Sequence, residues 1–248
     1  MDDIARLAEV LEQSRSMVFF GGAGMSTESG IPDFRSAEGI YHQKLHRHFS
    51  PEEMVSHSFF VEHTEDFYDF YREHLLYPKA QPNDGHRTLA ELERMGKLTA
   101  VITQNVDGLH QLAGSKNVLE LHGSVKRNFC MDCQAAYEME HVAAGKGVPR
   151  CTRCGGIVKP DVVLYEEPLD SQVMEKAVQA IRSADTLLIG GTSLVVYPAA
   201  GLIKYFQGQN LVLINKSETK ADEWADLVIH DAIGKVLKAA MDMLAARS

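Results

Sequence analysis

A run of four apolar residues, Met17–Phe20, leads directly into the glycine loop Gly21–Gly24. A short apolar run that meets glycines predicts a buried strand ending in a tight turn. Glycine allows the backbone to approach a phosphate closely, and a helix starting near Ser26 would offer free N–H groups to it. Thr27 stands where the usual dinucleotide motif has its third glycine, so a simple tight turn remains an alternative interpretation of this loop.

Strands and helices alternate along most of the chain. Apolar runs predict strands at 98–103, 118–121, 186–189, 211–214 and 227–229, in addition to the strand before the glycine loop. Helical spacing of apolar residues predicts helices at 2–14, 83–95, 171–184 and 197–207, and a last helix from residue 233. This alternation predicts an α/β fold with a doubly wound, mainly parallel, Rossmann-like sheet.

Residues 38–82 differ in composition from the segments before and after them, because histidines and aromatic residues cluster there and strand signals are few. We expect a helical insertion that packs over the glycine loop. His42, His46 and His48 could be metal ligands, but a solvated basic patch is the favoured interpretation because no cysteine or carboxylate follows at a fixed spacing. The expected division is a large domain (1–37, 83–126 and 157–248) and a small domain (38–82 and 127–156).

The four cysteines form two CxxC pairs, Cys130/Cys133 and Cys151/Cys154. Their spacing is typical of a four-cysteine zinc site. Two disulfides are the alternative, disfavoured by the absence of a visible export signal. Because all four ligand positions would be filled by protein, the expected Zn²⁺ is structural. We expect the small domain to lack a core of its own without the metal.

Composition restricts the classes of function. The chain has 248 residues, of which 45% are hydrophobic, which suffices for one large core or a main domain with a smaller companion. The net charge of −9 argues against a nucleic-acid partner and suits cationic peptides. No apolar run is long enough to span a membrane, and the first residues lack the pattern of a secretory signal. We therefore expect a cytoplasmic protein without a membrane partner.

Polar or glycine residues follow most of the predicted strands. They are Gly22–Ser26, Gln104–Asp107, His122, Gly191–Ser193 and Asn215. Since ligands of parallel α/β sheets bind beyond the carboxyl ends of the strands, these residues predict a polar crevice there. The run Gln104–Asp107 could by itself be a helix-capping turn, and His122 could be structural, although its placement suits a general base.

Several strings in this order resemble the signature motifs of the sirtuins, the NAD-dependent protein lysine deacylases. They are GAGMSTESGIPDFR from Gly22, TQNVDGLH from Thr103, His122-Gly123, the paired CxxC motifs, the KPDVVLY stretch from Lys159, Gly191-Thr192-Ser193 and the strand ending at Asn215. They cover nearly the whole chain. Gly21 stands where the family more often has threonine, and Tyr165–Glu167 where many members have Phe-Gly-Glu, which leaves the peptide preference open.

The resemblance implies an NAD-dependent protein deacetylase, in which the acyl oxygen attacks C1′ of the nicotinamide ribose, nicotinamide leaves, and the acyl group ends on ADP-ribose. His122 would be the base, and Ser26, Asn105 and Asp107 would hold the ribose and water. Phe34 would shield the reacting carbon and Arg35 would meet the phosphates. The implied NAD contacts are Gly22, Ala23, Gly24, Thr27, Asp33, Phe34, Arg35, Gln104, Asn105, Val106, Asp107, His122, Gly191, Thr192, Ser193, Asn215, Asp231 and Ala232.

The resemblance also implies substrate contacts. Val162 and Val163 would pair with an acetyl-lysine peptide as an added strand. Tyr68 and Tyr71 correspond to the acyl-pocket positions, with Tyr68 expected to face the pocket. Arg72, one residue out of register with the arginine of succinyl-removing sirtuins, would point away, so acetyl is expected over succinyl.

Two other interpretations of the sequence remain. A nicotinamide-cofactor dehydrogenase would explain the glycine loop and the parallel sheet, but neither the cysteine pairs nor the Ile31–Arg35 segment. A non-catalytic NAD- or ADP-ribose-binding module would explain the site residues without turnover.

Overall fold

The computed structural model describes residues 2–34, 39–40 and 49–246. Arg35, His42, His46 and His48 lie outside this part. The α-helices are α1 (Asp3–Gln13), α2 (Pro51–Met54), α3 (His57–Glu62), α4 (Thr64–His74), α5 (Asp84–Arg94), α6 (Leu109–Ala113), α7 (Met139–Ala143), α8 (Ser171–Ser183) and α9 (Ile233–Ala245). The strands are β1 (Met17–Gly21), β2 (Leu98–Thr103), β3 (Val118–Glu120), β4 (Gly123–Cys130), β5 (Ala136–Glu138), β6 (Val158–Val162), β7 (Thr186–Gly190), β8 (Asn210–Ile214) and β9 (Leu227–Ile229).

Six strands form one sheet in the order β3-β2-β1-β7-β8-β9, and every neighbouring pair is parallel. Strand β1 is buried along its whole length. Because side chains alternate across a strand, Phe19 packs against the cluster that contains α1, α5 and α9, whereas Phe20 packs against the cluster that contains α8. The predicted doubly wound parallel α/β fold is confirmed.

A separate antiparallel sheet has the order β5-β4-β6. Aromatic residues of α3 and α4, among them Phe60, Phe67 and Phe70, are buried against it. The expectation that this part of the chain lacks a core without metal is therefore wrong. Strand β4 runs across the expected domain boundary at 126/127, and it connects the edge of the parallel sheet with the small sheet.

Two segments differ from the expected α-helices. The predicted helix 197–207 is a 3₁₀-helix, Ala199–Tyr205, which contains Gly201, and glycine disfavours a regular α-helix. The segment after the glycine loop is also a 3₁₀-helix, Ala23–Ser29. In that segment Gly24 N–H donates to Gly191 O (2.8 Å) rather than remaining free.

No helix in the described part of the chain is both long and apolar enough to cross a membrane.

Candidate active site

A cleft of about 470 Å³ lies at the carboxyl ends of β1, β2, β7 and β8, a size typical of small-molecule sites. Its wall includes most of the residues that the sequence predicted. They are Gly22, Ala23, Gly24, Ser26, Thr27, Asp33, Phe34, Tyr71, Gln104, Asn105, Val106, Asp107, His122, Val162, Val163, Gly191, Thr192, Ser193, Asn215 and Asp231. Ala232 is not on this wall but precedes α9, with its N–H donating to Asp231 Oδ1 (2.7 Å).

Two glycine loops meet at the floor of the cleft. Gly24 and Gly191 approach so closely that a Cβ on Gly24 would lie 2.7 Å from Gly191 Cα. Gly191 also has a positive φ of 60°, which L-residues with side chains rarely adopt. A side chain at either position would collide with the backbone of the facing loop, so glycine is required where the two loops meet at the cleft floor. The Thr27 hydroxyl donates to Gly24 O (3.0 Å) and braces this loop.

Three polar side chains from different elements form a hydrogen-bonded set. Ser26 Oγ donates to Asp107 Oδ2 (2.7 Å), and Asn105 Nδ2 donates to Ser26 Oγ (3.0 Å). Burial raises the pKa of Asp107, although the Leu109 N–H bond to its carboxylate opposes this shift. The set thus presents an amide, a hydroxyl and a carboxylate together, which suits recognition of sugar hydroxyls and water.

His122 follows β3 and precedes β4. Its Nδ1 lies 3.0 Å from Gln104 O, and since a carbonyl only accepts, Nδ1 must carry the proton. Nε2 is then the basic nitrogen. Burial lowers the pKa of His122, opposed in part by the bond to Gln104 O, so the ring is neutral near pH 7. Gly123 has a φ of 75°, and a Cβ there would lie 1.9 Å from Asp161 O, so only glycine allows this turn.

The loops after β7, β8 and β9 form the far end of the cleft. Thr192 Oγ1 accepts from Gln104 Nε2 (3.0 Å), which connects the β2 and β7 loops. Asn215 Nδ2 donates to Ser217 O (2.8 Å), and the Asp231 carboxylate accepts from Lys235. These hydrogen bonds hold the loops in place, and Thr192, Asn215 and Asp231 still line the cleft.

Helix α4 and the residues packed with it supply an apolar wall. Tyr71 lies on it, but the expectation that Tyr68 also faces the cleft is not met. Tyr68 is fully buried one helical turn earlier, and its hydroxyl donates to Val158 O (2.6 Å), which holds the ring in the aromatic core. Arg72 donates to Val142 O (2.8 Å) and to Gly147 O, and it is not among the described residues of the cleft wall.

Sequence reasoning missed other residues that line the cleft, among them Ile40, Val55, His74, Leu75 and Leu164. On α4 the positions of Tyr71 and His74 are three residues apart and share one face, so helical spacing could have identified them. Leu75 follows directly at the end of α4, whereas Ile40, Val55 and Leu164 come from other segments, and no local pattern in the sequence marks them.

The four cysteine Sγ atoms lie within 4.8 Å of one another. Cys130 Sγ is 3.4 Å from Cys154 Sγ, and Cys133 Sγ is 3.6 Å from Cys151 Sγ. A disulfide needs about 2.05 Å, whereas tetrahedral Zn–S bonds of about 2.3 Å place sulfurs about 3.8 Å apart. The cluster fits one structural Zn²⁺ and not two disulfides.

Comparison with known proteins agrees with this geometry. A sequence model of the Sir2 family matches residues 22–198. A protein from Clostridium perfringens named NAD-dependent protein deacetylase is 64% identical over 244 residues, covering 98% of this chain and 100% of that protein. One of the same name from Clostridium acetobutylicum is 59% identical over 239 residues, covering 96% of this chain and 98% of its own length.

Solved structures match over nearly the whole chain. A Sir2 enzyme aligns with a TM-score of 0.89 at 40% identity and covers 100% of this chain and 99% of its own. A complex of Sir2 with a p53 peptide and NAD⁺ aligns with a TM-score of 0.85 at 37% identity, covering 99% of each chain. A Sir2 variant with a deacetylated p53 peptide and 3′-O-acetyl-ADP-ribose aligns with a TM-score of 0.88 at 36% identity, covering 96% of this chain and 97% of its own.

Proposed function

The chain belongs to the Sir2 family, and from that premise we propose that it is an NAD-dependent protein lysine deacetylase with one structural Zn²⁺. The observation that carries the proposal is that His122 and the hydrogen-bonded set Ser26–Asn105–Asp107 line the same cleft. His122 carries no proton on Nε2, and glycines line the cleft floor. We further propose that its substrates are acetylated proteins or peptides and that it acts in the cytoplasm.

Different groups of cleft residues have different proposed roles. Gly22–Gly24 and Gly191 provide the backbone surface for phosphates, and Thr192, Ser193, Asn215 and Asp231 face the adenosine half of the co-substrate. Ser26, Asn105 and Asp107 hold the ribose hydroxyls and an ordered water. NAD, when bound, supplies an activated sugar carbon that carries a leaving group. His122 Nε2 removes a proton from a ribose hydroxyl, and Phe34 keeps bulk water from the reacting carbon.

The substrate peptide is proposed to lie along Val162 and Val163. Val162 is paired with Gly123 in the small sheet, and Val163 N–H donates to His122 O (3.0 Å). A peptide bound along this segment would therefore place its acyl-lysine close to the base. In the proposed two-domain division, the helical module and the zinc ribbon form the smaller domain, and the peptide would bind between the smaller and the larger domain.

Nicotinamide release in the presence and absence of an acetyl-lysine peptide tests the function. We expect release that depends on the acetylated peptide and yields equimolar deacetylated peptide and O-acetyl-ADP-ribose. Formation of reduced nicotinamide, seen as an absorbance change, would indicate a dehydrogenase instead. Binding of NAD without peptide-dependent release would indicate a non-catalytic module. Either result would contradict the proposal.

The pKa of His122 sets the acid side of the pH profile. Because burial lowers this pKa, the neutral and active form persists as the pH falls, and it is lost only below the ordinary histidine value of about 6.5. We expect the acid limb of kcat/KM for the acetyl peptide to have its midpoint below pH 6.5. A midpoint above pH 7 in the acid limb would contradict this placement of the base.

The cleft should favour acetyl over succinyl. Lys216, near the adenosine end, is the one lysine or arginine among the described wall residues, and Arg72 is engaged elsewhere. A succinyl carboxylate in the apolar part would be desolvated without a cation, at a cost of about 3 kcal/mol or more. We expect kcat/KM at pH 8 to be roughly 100-fold lower for a succinyl-lysine peptide than for its acetyl counterpart.

Two variants sharpen this comparison. Tyr71→Arg puts a cation on the wall and should raise the succinyl-to-acetyl ratio of kcat/KM, whereas Arg72→Ala should leave the ratio unchanged. Comparable activity of the unsubstituted protein on both peptides would mean that a cation reaches the acyl group after all.

A further inference from the structure

One arginine side chain connects the segments on either side of the turn that carries His122. Arg127 Nη1 donates to Glu120 Oε2 (2.7 Å), and Arg127 Nε donates to Asp161 Oδ2 (2.7 Å). Glu120 ends β3, two residues before His122, and Asp161 lies on β6, one residue before Val162. The guanidinium therefore joins the approach to the proposed base with the proposed peptide-binding segment.

The Glu120 carboxylate depends on this cation. Its side chain is only 9% exposed, and its other oxygen accepts from Gln111 Nε2 (2.8 Å). Without Arg127, a nearly buried charge would lose its counter-ion, and the end of β3 would be expected to shift. Burial raises the pKa of Asp107, and the Glu120 carboxylate raises it further, so the charge that Arg127 offsets also acts on the Ser26–Asn105–Asp107 set.

The pairing of β4 with β6 is interrupted at Arg127. Ser124 pairs with Asp161 and Asn128 pairs with Pro160, so residues 125–127 bulge out of the ladder opposite two adjacent residues of β6. Such a bulge weakens the backbone connection between the His122 turn and the rest of β4. The Arg127 side chain bridges it by reaching back to Asp161.

Two contacts show how closely the His122 turn lies against β6 and the residue after it. A Cβ on Gly123 would lie 1.9 Å from Asp161 O, and Val163 N–H donates to His122 O (3.0 Å). A displacement of Asp161 would therefore be passed on to the turn.

We propose that Arg127 is a positioning residue that fixes the His122 turn relative to the peptide-binding segment. It does so by holding Glu120 and Asp161 on one guanidinium. This inference rests on the proposed deacetylase function and deepens it. Arg127, Glu120 and Asp161 are not among the described residues of the cleft wall, so they act through the neighbouring residues that are.

The kinetic test compares Arg127→Ala and Arg127→Lys with the unsubstituted protein, well below the melting temperature of each. In Arg127→Ala, kcat/KM for the acetyl peptide should fall about tenfold, while KM for NAD changes by less than about twofold. Arg127→Lys keeps the charge but not the fork that holds two carboxylates, so its kcat/KM should be intermediate. Arg94→Ala, the matched control, breaks an exposed ion pair with Glu91 on α5 and should leave kcat/KM unchanged.

Hydrogen exchange tests the positioning without turnover. The Val163 N–H, which donates to His122 O, should exchange about tenfold faster in Arg127→Ala and at an intermediate rate in Arg127→Lys. The amides of β1, which is buried along its whole length, should exchange at the same rate in all variants.

Either of two results would overturn the role of Arg127: a kcat/KM of Arg127→Ala within about twofold of normal, or an unchanged Val163 exchange rate. Equal effects on the NAD and peptide parameters would indicate general destabilisation and would also overturn it. Failure of the unsubstituted protein to release nicotinamide with acetyl peptide would instead overturn the proposed function, and the exchange rate of Val163 would still test Arg127.

Discussion

Replacing His122 by alanine lowers kcat/KM for NAD-dependent deacetylation by roughly 100-fold or more, the range expected for a lost general base. The expected loss follows from the tautomer, because Gln104 O holds the proton on Nδ1 and leaves Nε2 as the basic nitrogen. The fold should persist, since His122 lies on a loop between β3 and β4 and contributes no side chain to the three hydrophobic clusters.

The measurement needs controls for folding and binding. Melting temperature and calorimetric NAD affinity of His122→Ala should stay near those of the unsubstituted protein. His122→Asn, which retains a polar group of similar size but no base, should be as inactive as the alanine variant. Turnover within a factor of a few of normal in either variant would exclude His122 as the base.

Removal of zinc is expected to unfold the ribbon between Cys130 and Ile157 and to abolish activity. Structural zinc contributes about 10–16 kcal/mol of apparent binding free energy in small zinc domains, comparable to the whole stability of a typical protein. Strand β5 has no fully buried residue, so it and the cysteine knuckles depend on the metal, although Met139 and Val142 of α7 pack in the cluster with α4. Helix α4 keeps its aromatic core and should remain folded.

Metal analysis and hydrogen exchange check this prediction. The protein should contain about one zinc per chain, and Cys151→Ala should lose the zinc and the exchange protection of β5 while α4 remains protected. Arg153→Ala, an exposed change in the same knuckle, should retain both. Protection of β5 in metal-free protein, or disulfides in the native protein, would contradict the assignment.

Local patterns in the sequence predicted the parallel sheet well. Strand β2 begins and ends where its apolar run does, and α5 is bounded by Asn83 and Gly96, which carry their own capping and stop signals. The small sheet was missed because β4 alternates imperfectly, and the 27 residues 131–157 separate it from its partner β6. Such pairing depends on tertiary contacts that no local window contains.

In the candidate site too, some features follow from local sequence patterns and others depend on tertiary contacts. His122, Asn105 and Asp107 follow strands, and because the carboxyl ends of parallel strands converge, their position predicted a polar crevice. Their proposed roles came from the family resemblance, since position alone left a capping turn and a structural histidine as alternatives. Tyr68 and Tyr71 could not be separated by helical position, because residues three apart share a face. The two tyrosines are distinguished by a tertiary contact, because the Val158 carbonyl accepts a hydrogen bond from the Tyr68 hydroxyl.

The two halves of the cleft are built from separate hydrophobic clusters. Most residues proposed for cofactor chemistry extend from loops of the parallel sheet, whereas Tyr71 belongs to the aromatic cluster of α3 and α4. Phe34 and Val106 also pack against that aromatic cluster and so connect α4 to the cofactor loops. In evolutionary terms, we expect lineages that change acyl preference through α4 to acquire accompanying substitutions at positions 34 and 106.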